Sequence, residues 1–397
     1  MAVPLLDLKA QHAPLERALK DAFERVLRSG QYILGPEIEN FERSLAEYVG
    51  ARHAISVSSG TDAILLALMV LGIGPGDEVI CPSFTFFATA GCVARTGATP
   101  VFADSCPVCF NIDPDDIVAR ITPRTKAIIP VHLFGQPAAM DRILETAKRH
   151  NLRVIEDAAQ SLGAKFRGQS AGTMGAFGIF SFFPSKNLGC LGDGGLLVTN
   201  DDSLAERARL LRTHGAKPKY YHNYIGANFR MDALQAALLA VKLPLLASYA
   251  KSRAANASFY ADRLSKIPGV LLGQPDNQCC AVSKTSGDGS SSNFQISLPL
   301  EIPGRHHVWN QYTLRVTGGR RDALRDWLTS REIGSEIYYP VPMHQQECFA
   351  ACVPPTLRLP VAERLAGESL SIPVFPELTG DQKEEVTSAI SKFICNQ

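Results

Sequence analysis

Two residues in the middle of the chain have the types and positions needed for chemistry at a carbonyl group. Asp157 ends a predicted strand, 153–157, and a buried parallel strand delivers such a carboxylate to the sheet edge where ligands bind. Lys186 follows a second apolar run, 177–183, and no other charged residue lies within six positions of it. An amine in apolar surroundings loses its proton more easily, and a Schiff base forms from the neutral amine.

Together, Asp157 and Lys186 meet the main requirements of a pyridoxal 5'-phosphate (PLP) enzyme. The carboxylate would keep the pyridine nitrogen of the cofactor protonated, so that the ring accepts electrons, while the lysine would carry the aldehyde. Each residue alone has a simpler interpretation. A lysine after a strand is usually a surface residue, and an aspartate there usually caps a helix or forms a turn. The hypothesis therefore depends on the other parts of such a site being present.

A turn that could hold a phosphate occurs earlier in the chain. The residues 58–61, Ser-Ser-Gly-Thr, separate a predicted strand at 54–57 from an apolar helix at 62–71. Such a turn offers free backbone N–H groups to an anion, although serine and threonine there also serve as ordinary helix caps. The aromatic residues at 84–87 follow the next strand, and one of them could stack on a flat ring or simply belong to the core.

These residues sit in a regular alternation of strands and helices. Two amphipathic helices, 15–27 and 38–49, come first, and strands then alternate with helices as far as residue 212. This order predicts an α/β fold with a mostly parallel, doubly wound sheet. The predicted strands are 54–57, 78–81, 100–103, 126–131, 153–157, 177–183 and 196–199, and the predicted helices between and after them are 62–71, 113–120, 140–150 and 202–212.

The rest of the sequence, after residue 212, predicts a second, smaller α+β domain. A long loop at 214–230 precedes a strongly apolar helix at 231–241, and another helix runs to about residue 264. We therefore predict a large domain at 1–245 and a small one at 246–397, with an exposed Ser/Gly-rich loop near 276–293. The elements predicted for the small domain are strands at 312–316 and 337–339 and helices at 321–331 and 381–394.

Composition excludes several classes of protein. The chain has 397 residues, is 46% hydrophobic, and carries 40 basic against 39 acidic residues, so nothing indicates a nucleic-acid or membrane surface. The N-terminal segment lacks the apolar core of a secretory signal, and no apolar run approaches the roughly 20 residues of a membrane span. We therefore expect a cytoplasmic protein that binds neither nucleic acid nor membrane.

The ten cysteines are scattered, and Cys106 and Cys109 alone have the C-x-x-C spacing. Without a second such pair the sequence predicts no metal site. A redox pair is conceivable at Cys106 and Cys109. Reduced cysteines without a shared role are the simpler interpretation for a chain of this size and location.

Nearly the whole chain resembles the DegT/DnrJ/EryC1/StrS family of sugar aminotransferases. The resemblance implies a PLP enzyme with the fold-type I architecture of aspartate aminotransferase. The segments that carry it are VPLLDLKAQ, GQYILGPEIENFE, SSGTDA, GIGPGDEVICPSFTF, TPRTKAIIPVHLFGQ, VIEDAAQSLGA, SFFPSKNLGCLGDGG, MDALQAALLAVKL and YPVPMHQQ.

The resemblance also implies roles for individual residues toward the cofactor. Lys186 would form the Schiff base and act as general base and acid, Asp157 would pair with the pyridine nitrogen, and Gln160 would contact the phenolic oxygen. Phe86 would stack on the ring. The residues implied to bind the phosphate are Gly60, Thr61 and Ser181.

Three further positions concern the partner subunit and the substrate. Asn228 matches an asparagine that reaches the phosphate from the neighbouring subunit, which implies a homodimer with shared active sites. Tyr338 and His344 are candidates for substrate binding. The chain departs from the family at Asn228-Phe-Arg, where Ser or Tyr is usual in the middle position, and at Tyr338-Tyr339, where His-Tyr is common.

The expected reaction is transfer of an amino group from L-glutamate to a keto group on a nucleotide-linked hexose. The product would be an amino sugar for surface polysaccharide or natural-product glycosylation. The loop 187–195 resembles that of enzymes acting on 3-keto sugars, which favours carbon 3 over carbon 4. A dehydratase of the same family carries histidine in place of the lysine, and a non-catalytic regulator would have lost Lys186 or Asp157, so the sequence favours transamination over both.

Overall fold

The computed structural model describes residues 2–218, 220–272, 280 and 294–396, and the strands and helices of that part are as follows. The strands are β1 His53–Val57, β2 Glu78–Pro82, β3 Thr99–Ala103, β4 Thr125–Ile128, β5 Arg153–Asp157, β6 Lys165–Phe166, β7 Gln169–Ser170, β8 Phe177–Ser181, β9 Gly195–Thr199, β10 Val270–Leu272, β11 Ile296–Leu298, β12 Arg305–His306, β13 Tyr312–Val316 and β14 Ser369–Ile372. The helices are α1 Leu8–His12, α2 Glu16–Ser29, α3 Pro36–Val49, α4 Gly60–Val70, α5 Ala88–Arg95, α6 Pro114–Arg120, α7 Met140–Arg149, α8 Asp202–Leu211, α9 Ala233–Lys242, α10 Leu246–Leu264, α11 Arg321–Thr329, α12 Pro360–Glu368 and α13 Gly380–Cys395.

A seven-stranded sheet with the order β1-β9-β8-β5-β4-β2-β3 organises the larger part of the chain. The neighbours from β8 to β3 are parallel, and β9 runs antiparallel to both β1 and β8. The register pairs Ile155 with Phe177 and Asp157 with Ile179, so β5 and β8 end at the same edge. The predicted α/β fold with a mostly parallel sheet is confirmed.

Both faces of this sheet are covered, because alternate residues of each strand point to opposite sides. On β9, Leu197 joins the core formed with α4, α5 and α8. Its neighbours Leu196 and Val198 join the core formed with α2, α3 and α9. Strands buried on both faces are typical of parallel sheets, which explains why they appear in the sequence as continuous apolar runs.

A second sheet, β10-β11-β13-β14, packs with α10, α11 and α13 as the small α+β unit. The chain passes between the two units more than once. Val3 belongs to the core of the small unit and pairs with Ile333, whereas Met343, Phe349 and Leu365 pack in the core of the large one. The boundary placed at residue 245 stays a prediction.

Three predicted strands differ from the structure, and one of them, 177–183, is two residues too long because β8 ends at Ser181. The segment 337–339 is wrong as a strand: it is irregular, and the isolated bridge between Glu336 and Ser371 lies just before it. The strand predicted at 126–131 ends at Ile128, shortly before Pro130, which has no N–H to continue the ladder. The predicted loop near 276–293 lies outside the described residues except for Cys280.

Taken as one helical run, Ala233–Leu264 is long and apolar enough to cross a membrane, a test that core helices also pass. It consists of α9 and α10 joined by a 3₁₀ turn. Two of its charged residues, Lys242 and Arg253, are buried, and they donate hydrogen bonds to the carbonyl oxygens of Gly189 (2.6 Å) and Trp309 (3.2 Å). In this structure the run therefore packs within the fold.

Candidate active site

A cavity of about 410 Å³ opens at the carboxyl ends of β1, β2, β5 and β8. This is the edge at which open α/β sheets bind ligands. Among its walls are eight of the ten residues predicted for the site, together with residues that the sequence did not single out. The predicted residues that line it are Gly60, Thr61, Phe86, Asp157, Gln160, Ser181, Lys186 and Tyr338.

Asp157 ends β5 with its carboxylate in this cavity and is 5% exposed. Oδ2 accepts a hydrogen bond from the Thr89 hydroxyl (2.8 Å), and Oδ1 accepts one from the Ala159 N–H (3.2 Å). Burial raises the pKa of Asp157, while these two hydrogen bonds and the nearby Lys186 oppose that rise. The carboxylate is thus held in one orientation in a place where a cationic partner stabilises its charge.

Lys186 lies five residues beyond β8, in a tight turn in which its N–H donates to Phe183 O (2.8 Å). Burial lowers the pKa of its amine from 10.5 to about 8, and the carboxylate of Asp157 opposes this change. The loop can form only with glycine at position 189, where a Cβ would lie 2.3 Å from Pro184 O. A nucleophilic amine is therefore fixed beside a carboxylate in a cleft.

Glu156, next to Asp157, points to the opposite side of β5 because successive side chains alternate. It is fully buried and accepts hydrogen bonds from the N–H groups of Gly172 (2.8 Å), Met174 (2.6 Å) and Gly175 (2.6 Å). Its other partner is His132 Nε2 at 2.9 Å. Of the two acids at the end of this strand, Asp157 faces the cavity and Glu156 holds the fold behind it.

The predicted phosphate turn lies at the N-terminus of α4. Ser59 caps this helix by accepting a hydrogen bond from the Asp62 N–H (3.1 Å). The N–H groups of Gly60 and Thr61 are among those that a helix cannot satisfy internally, and they lie at its positive end. Ser181 closes the other side so tightly that a Cβ on Gly60 would lie 2.8 Å from the Ser181 Cβ. The arrangement suits a small anion.

Gln160 and Tyr339 form the wall of the cavity near the small unit. The Gln160 Oε1 accepts from the Phe134 N–H (2.7 Å), and its Nε2 donates to the Tyr339 hydroxyl oxygen (3.0 Å). Burial raises the pKa of Tyr339, so it carries a hydroxyl proton at neutral pH. Phe86 is 54% exposed and its ring centre lies 6.1 Å from that of Tyr339. Both rings line the cavity, with their planes inclined at 46° to each other.

Two predicted site residues lie elsewhere. His344 is buried, with Nδ1 2.6 Å from Ser83 Oγ and Nε2 3.1 Å from Glu363 Oε1, so both ring nitrogens are used inside the protein. It does not line the cavity. Asn228 is exposed, and its Oδ1 lies 3.4 Å from the Arg230 nitrogen. Within one chain Asn228 does not reach the cavity either.

Among the residues of this site that sequence reasoning missed, three have polar groups that bear on its chemistry. Thr89 orients Asp157, Tyr339 holds Gln160, and Thr85 lines the cavity with a buried Oγ1 that has no hydrogen-bond partner among the described residues. The motif Tyr338-Tyr339 departs from the family, but no local pattern indicates which of the two tyrosines faces Gln160. Thr89 gave no signal, because a threonine in a small-residue helix is ordinary.

The residues present fit PLP. The helix N-terminus and Ser181 suit a phosphate, Lys186 suits an aldehyde, and Asp157 suits a protonated pyridine nitrogen. The unpaired Thr85 Oγ1 offers a further hydrogen bond to a ligand in the cavity. A doubly wound sheet with this set of groups at its carboxyl edge defines the class of PLP-dependent enzymes.

Comparison with known proteins narrows this class. The sequence profile of the DegT/DnrJ/EryC1/StrS aminotransferase family matches residues 15–391. The chain belongs to this family. The predictions of a PLP cofactor and of an aminotransferase are thereby confirmed.

Individual relatives are similar over almost their whole length. A pleiotropic regulatory protein of Geobacillus stearothermophilus is 45% identical over 99% of both chains. The dTDP-3-amino-3,4,6-trideoxy-alpha-D-glucose transaminase of Streptomyces venezuelae is 43% identical over 98% of this chain and 96% of its own. A UDP-N-acetyl-3-dehydro-alpha-D-glucosamine 3-aminotransferase of Acidithiobacillus ferrooxidans is 42% identical over 99% and 98%. The crystal structure of DesV from S. venezuelae superposes with a TM-score of 0.89 at 43% identity, covering 99% of this chain and 98% of that one.

Proposed function

We propose that the protein transfers an amino group from L-glutamate to carbon 3 of a nucleotide-linked keto-hexose. The observation that carries the proposal is the cavity in which Lys186 and Asp157 meet beside an anion-binding helix N-terminus, in a chain of this family. PLP, when bound, supplies an aldehyde for the amino group and an electron-accepting ring.

Different residues of the chain have separate roles in this reaction. The N–H groups of Gly60 and Thr61, with Ser181, bind the phosphate and fix the position of the ring. Asp157 keeps a proton on the ring nitrogen, because a buried carboxylate stabilises a cation beside it. Lys186 Nζ would act as the general base that takes a proton from the substrate carbon and as the general acid that returns one, for which an amine with a pKa of about 8 is well matched near neutral pH.

Phe86 and Gln160 complete the binding of the ring. Phe86 would cover one face of the ring, and Gln160, which lines the same cavity, would contact the phenolic oxygen of the cofactor. Tyr338 stands at the opening toward the small unit and would contact the sugar or its nucleotide. His344 has no direct role in this scheme, because its ring is engaged by Ser83 and Glu363.

Carbon 3 is favoured over carbon 4 by the relatives. Two proteins that match nearly the whole chain at 42–43% identity carry names that specify a 3-amino or 3-dehydro sugar. Their nucleotides differ, one being dTDP and the other UDP. The proposal therefore names the position on the ring and leaves the base of the nucleotide to the assay.

Coupled assays with a panel of dTDP- and UDP-linked 3-keto and 4-keto sugars and L-glutamate test the proposal. We expect 2-oxoglutarate to form with at least one 3-keto sugar and much more slowly with its 4-keto isomer. Turnover with 4-keto sugars alone would show that the amino group is transferred to carbon 4 and that the proposed position is wrong. A Lys186→Ala variant in the same assay is the control, since it should abolish turnover with every sugar.

A regulatory function is the second candidate, because the relative at 45% identity is named a pleiotropic regulatory protein. A regulator without catalysis has no need for an amine of lowered pKa beside a buried carboxylate, and this chain has both. The absorption spectrum separates the two. A yellow protein whose colour changes when L-glutamate is added supports transamination, and a colourless protein supports regulation.

We also propose that two subunits share their active sites. Asn228 is exposed and lies in the irregular segment before α9, so it can reach the phosphate site of a neighbour without disturbing its own sheet. Two-fold pairing is the commonest oligomer symmetry. Mixing inactive Lys186→Ala protein with inactive Asn228→Ala protein should restore part of the activity, because some mixed dimers contain one intact site. If labelled subunits exchange and no activity returns, the sites are not shared.

A further inference from the structure

Three buried cysteines from distant parts of the chain meet in one place. The Sγ atoms of Cys106, Cys109 and Cys280 all lie within 4.8 Å of one another, and each residue is at most 2% exposed. Cys109 and Cys280 are 171 residues apart, with their sulfur atoms separated by 3.5 Å. The sequence predicted no metal site, because C-x-x-C spacing occurs once and the third cysteine is too far along the chain to be recognised.

The turn that carries Cys106 and Cys109 presents both thiols to the same side. The Cys106 N–H donates to Asn111 O (2.7 Å), and the Phe110 N–H donates to Cys106 O (2.9 Å). Phe110 closes the turn in the left-handed region, with φ at 64°. Two cysteines on a tight turn of this spacing are the half-site found in structural zinc centres.

Cys280 reaches this turn from the connection between β10 and β11 of the small unit. Arg142 on α7 donates a hydrogen bond to the Cys280 carbonyl and also pairs with Asp115. Ala139 and Ile302 pack around the three sulfur atoms and exclude water from them. The cluster thus joins a segment of the small unit to the large one.

The spacing and charge of the cluster suit a divalent metal. A tetrahedral zinc ion with Zn–S bonds of about 2.3 Å places its sulfur ligands about 3.8 Å apart, which is within the range that the three sulfur atoms occupy. Arg305 Nη1 lies 3.6 Å from Cys109 Sγ and 3.8 Å from Cys280 Sγ, and its charge favours thiolates. Three thiolates on one Zn²⁺ leave one negative charge, and the guanidinium of Arg305 lies where it would offset that charge.

We propose that Cys106, Cys109 and Cys280 bind a zinc ion that fastens Cys280 to the turn after β3. The fourth coordination position is filled by solvent or by a further protein ligand. Thiolate sulfur selects zinc over magnesium and calcium, which prefer oxygen. The ion has a structural role, since these cysteines do not line the cavity of Lys186.

Metal analysis of the full-length holoenzyme, purified with reductant from zinc-supplemented cells, tests this proposal. We expect about one zinc ion per chain, with X-ray absorption giving about three sulfur neighbours at about 2.3 Å. The variants Cys106→Ser, Cys109→Ser and Cys280→Ser should each lose most of the zinc. The matched controls Cys348→Ser and Cys395→Ser change exposed cysteines and should keep it.

Retained PLP absorbance identifies variants that still fold. If the cysteine variants do not fold, the zinc content and the sulfur neighbours measured for the wild-type protein are sufficient to test the proposal. Zinc-free wild-type protein whose cysteines are all reduced overturns the proposal. So does bound zinc without a sulfur shell, iron in its place, or a disulfide revealed by counting thiols in denatured protein from a second preparation made without reductant.

Discussion

The amine of Lys186 should react with PLP far more readily near neutral pH than an ordinary lysine does. Burial lowers its pKa from 10.5 to about 8 against the opposing charge of Asp157. At pH 7 about a tenth of these amines would be neutral, against roughly three in ten thousand for a lysine with the ordinary value. The neutral amine is the reactive form, so the gain in reactivity is roughly 300-fold.

The assay removes PLP and measures the rate at which added PLP forms a covalent bond to the apoenzyme, from about pH 6 to about pH 10. The rate should rise with pH and level off with a midpoint near pH 8, because raising the pH deprotonates Lys186. Asp157→Asn should move this midpoint to lower pH, since the carboxylate holds the pKa of the lysine up. Borohydride reduction and peptide mapping then locate the bond.

Lys242 is an internal control for the effect of position. Burial lowers its pKa to about 8 as well, yet it donates to Gly189 O and does not line the cavity. It should remain unmodified under conditions in which Lys186 reacts completely. A midpoint near 10.5, or a reduced adduct on Lys242 or any other lysine in place of Lys186, would refute the reasoning.

Three further predictions concern the other groups of the site. Gly60→Ala should weaken PLP binding about 10-fold or more, because the new Cβ would lie 2.8 Å from the Ser181 Cβ. Equilibrium titration with PLP measures this change. The control Gly367→Ala, whose new Cβ would have nothing within 4 Å, should leave PLP binding unchanged. Thr89→Val removes a hydrogen bond that lowers the pKa of Asp157, so the acid limb of the kcat/KM profile should move to higher pH, and an unmoved limb would contradict this. Asp157→Asn should cut kcat by at least about 100-fold while PLP still attaches to Lys186, and a near-normal kcat would assign the ring proton to another acid.

The sequence predicted the sheet and the centre of the site because both depend on short-range patterns. Strands buried on both faces must be continuous apolar runs, and β5 and β8 appear as such beside Asp157 and Lys186. A charged residue directly after such a run therefore lies at the carboxyl edge of the sheet. The pairing of β5 with β8 then brings Asp157 and Lys186 to one cavity.

Contacts between distant segments could not be predicted in this way. Tyr339 binds Gln160 across 179 positions, and His344 binds Ser83 across 261. The segment 337–339 consists of β-branched and aromatic residues, which are common in strands, but in the structure it is irregular where Tyr338 and Tyr339 face the cavity. Cys280 and Cys109 also come from distant segments, so the cysteine cluster could not be predicted from the sequence alone.

The adjacent acids Glu156 and Asp157 show how this fold keeps its reactive groups in place. Glu156 fixes the loop 172–175 through three N–H groups, and this loop lies directly on β8, where a Cβ on Gly178 would be 1.9 Å from Gly172 O. Since β8 leads to Lys186, the buried face of β5 sets the position of the lysine, while the open face of β5 supplies its carboxylate partner. A displacement of β5 would therefore move both groups together, so that the geometry between Asp157 and Lys186 is protected by the sheet itself.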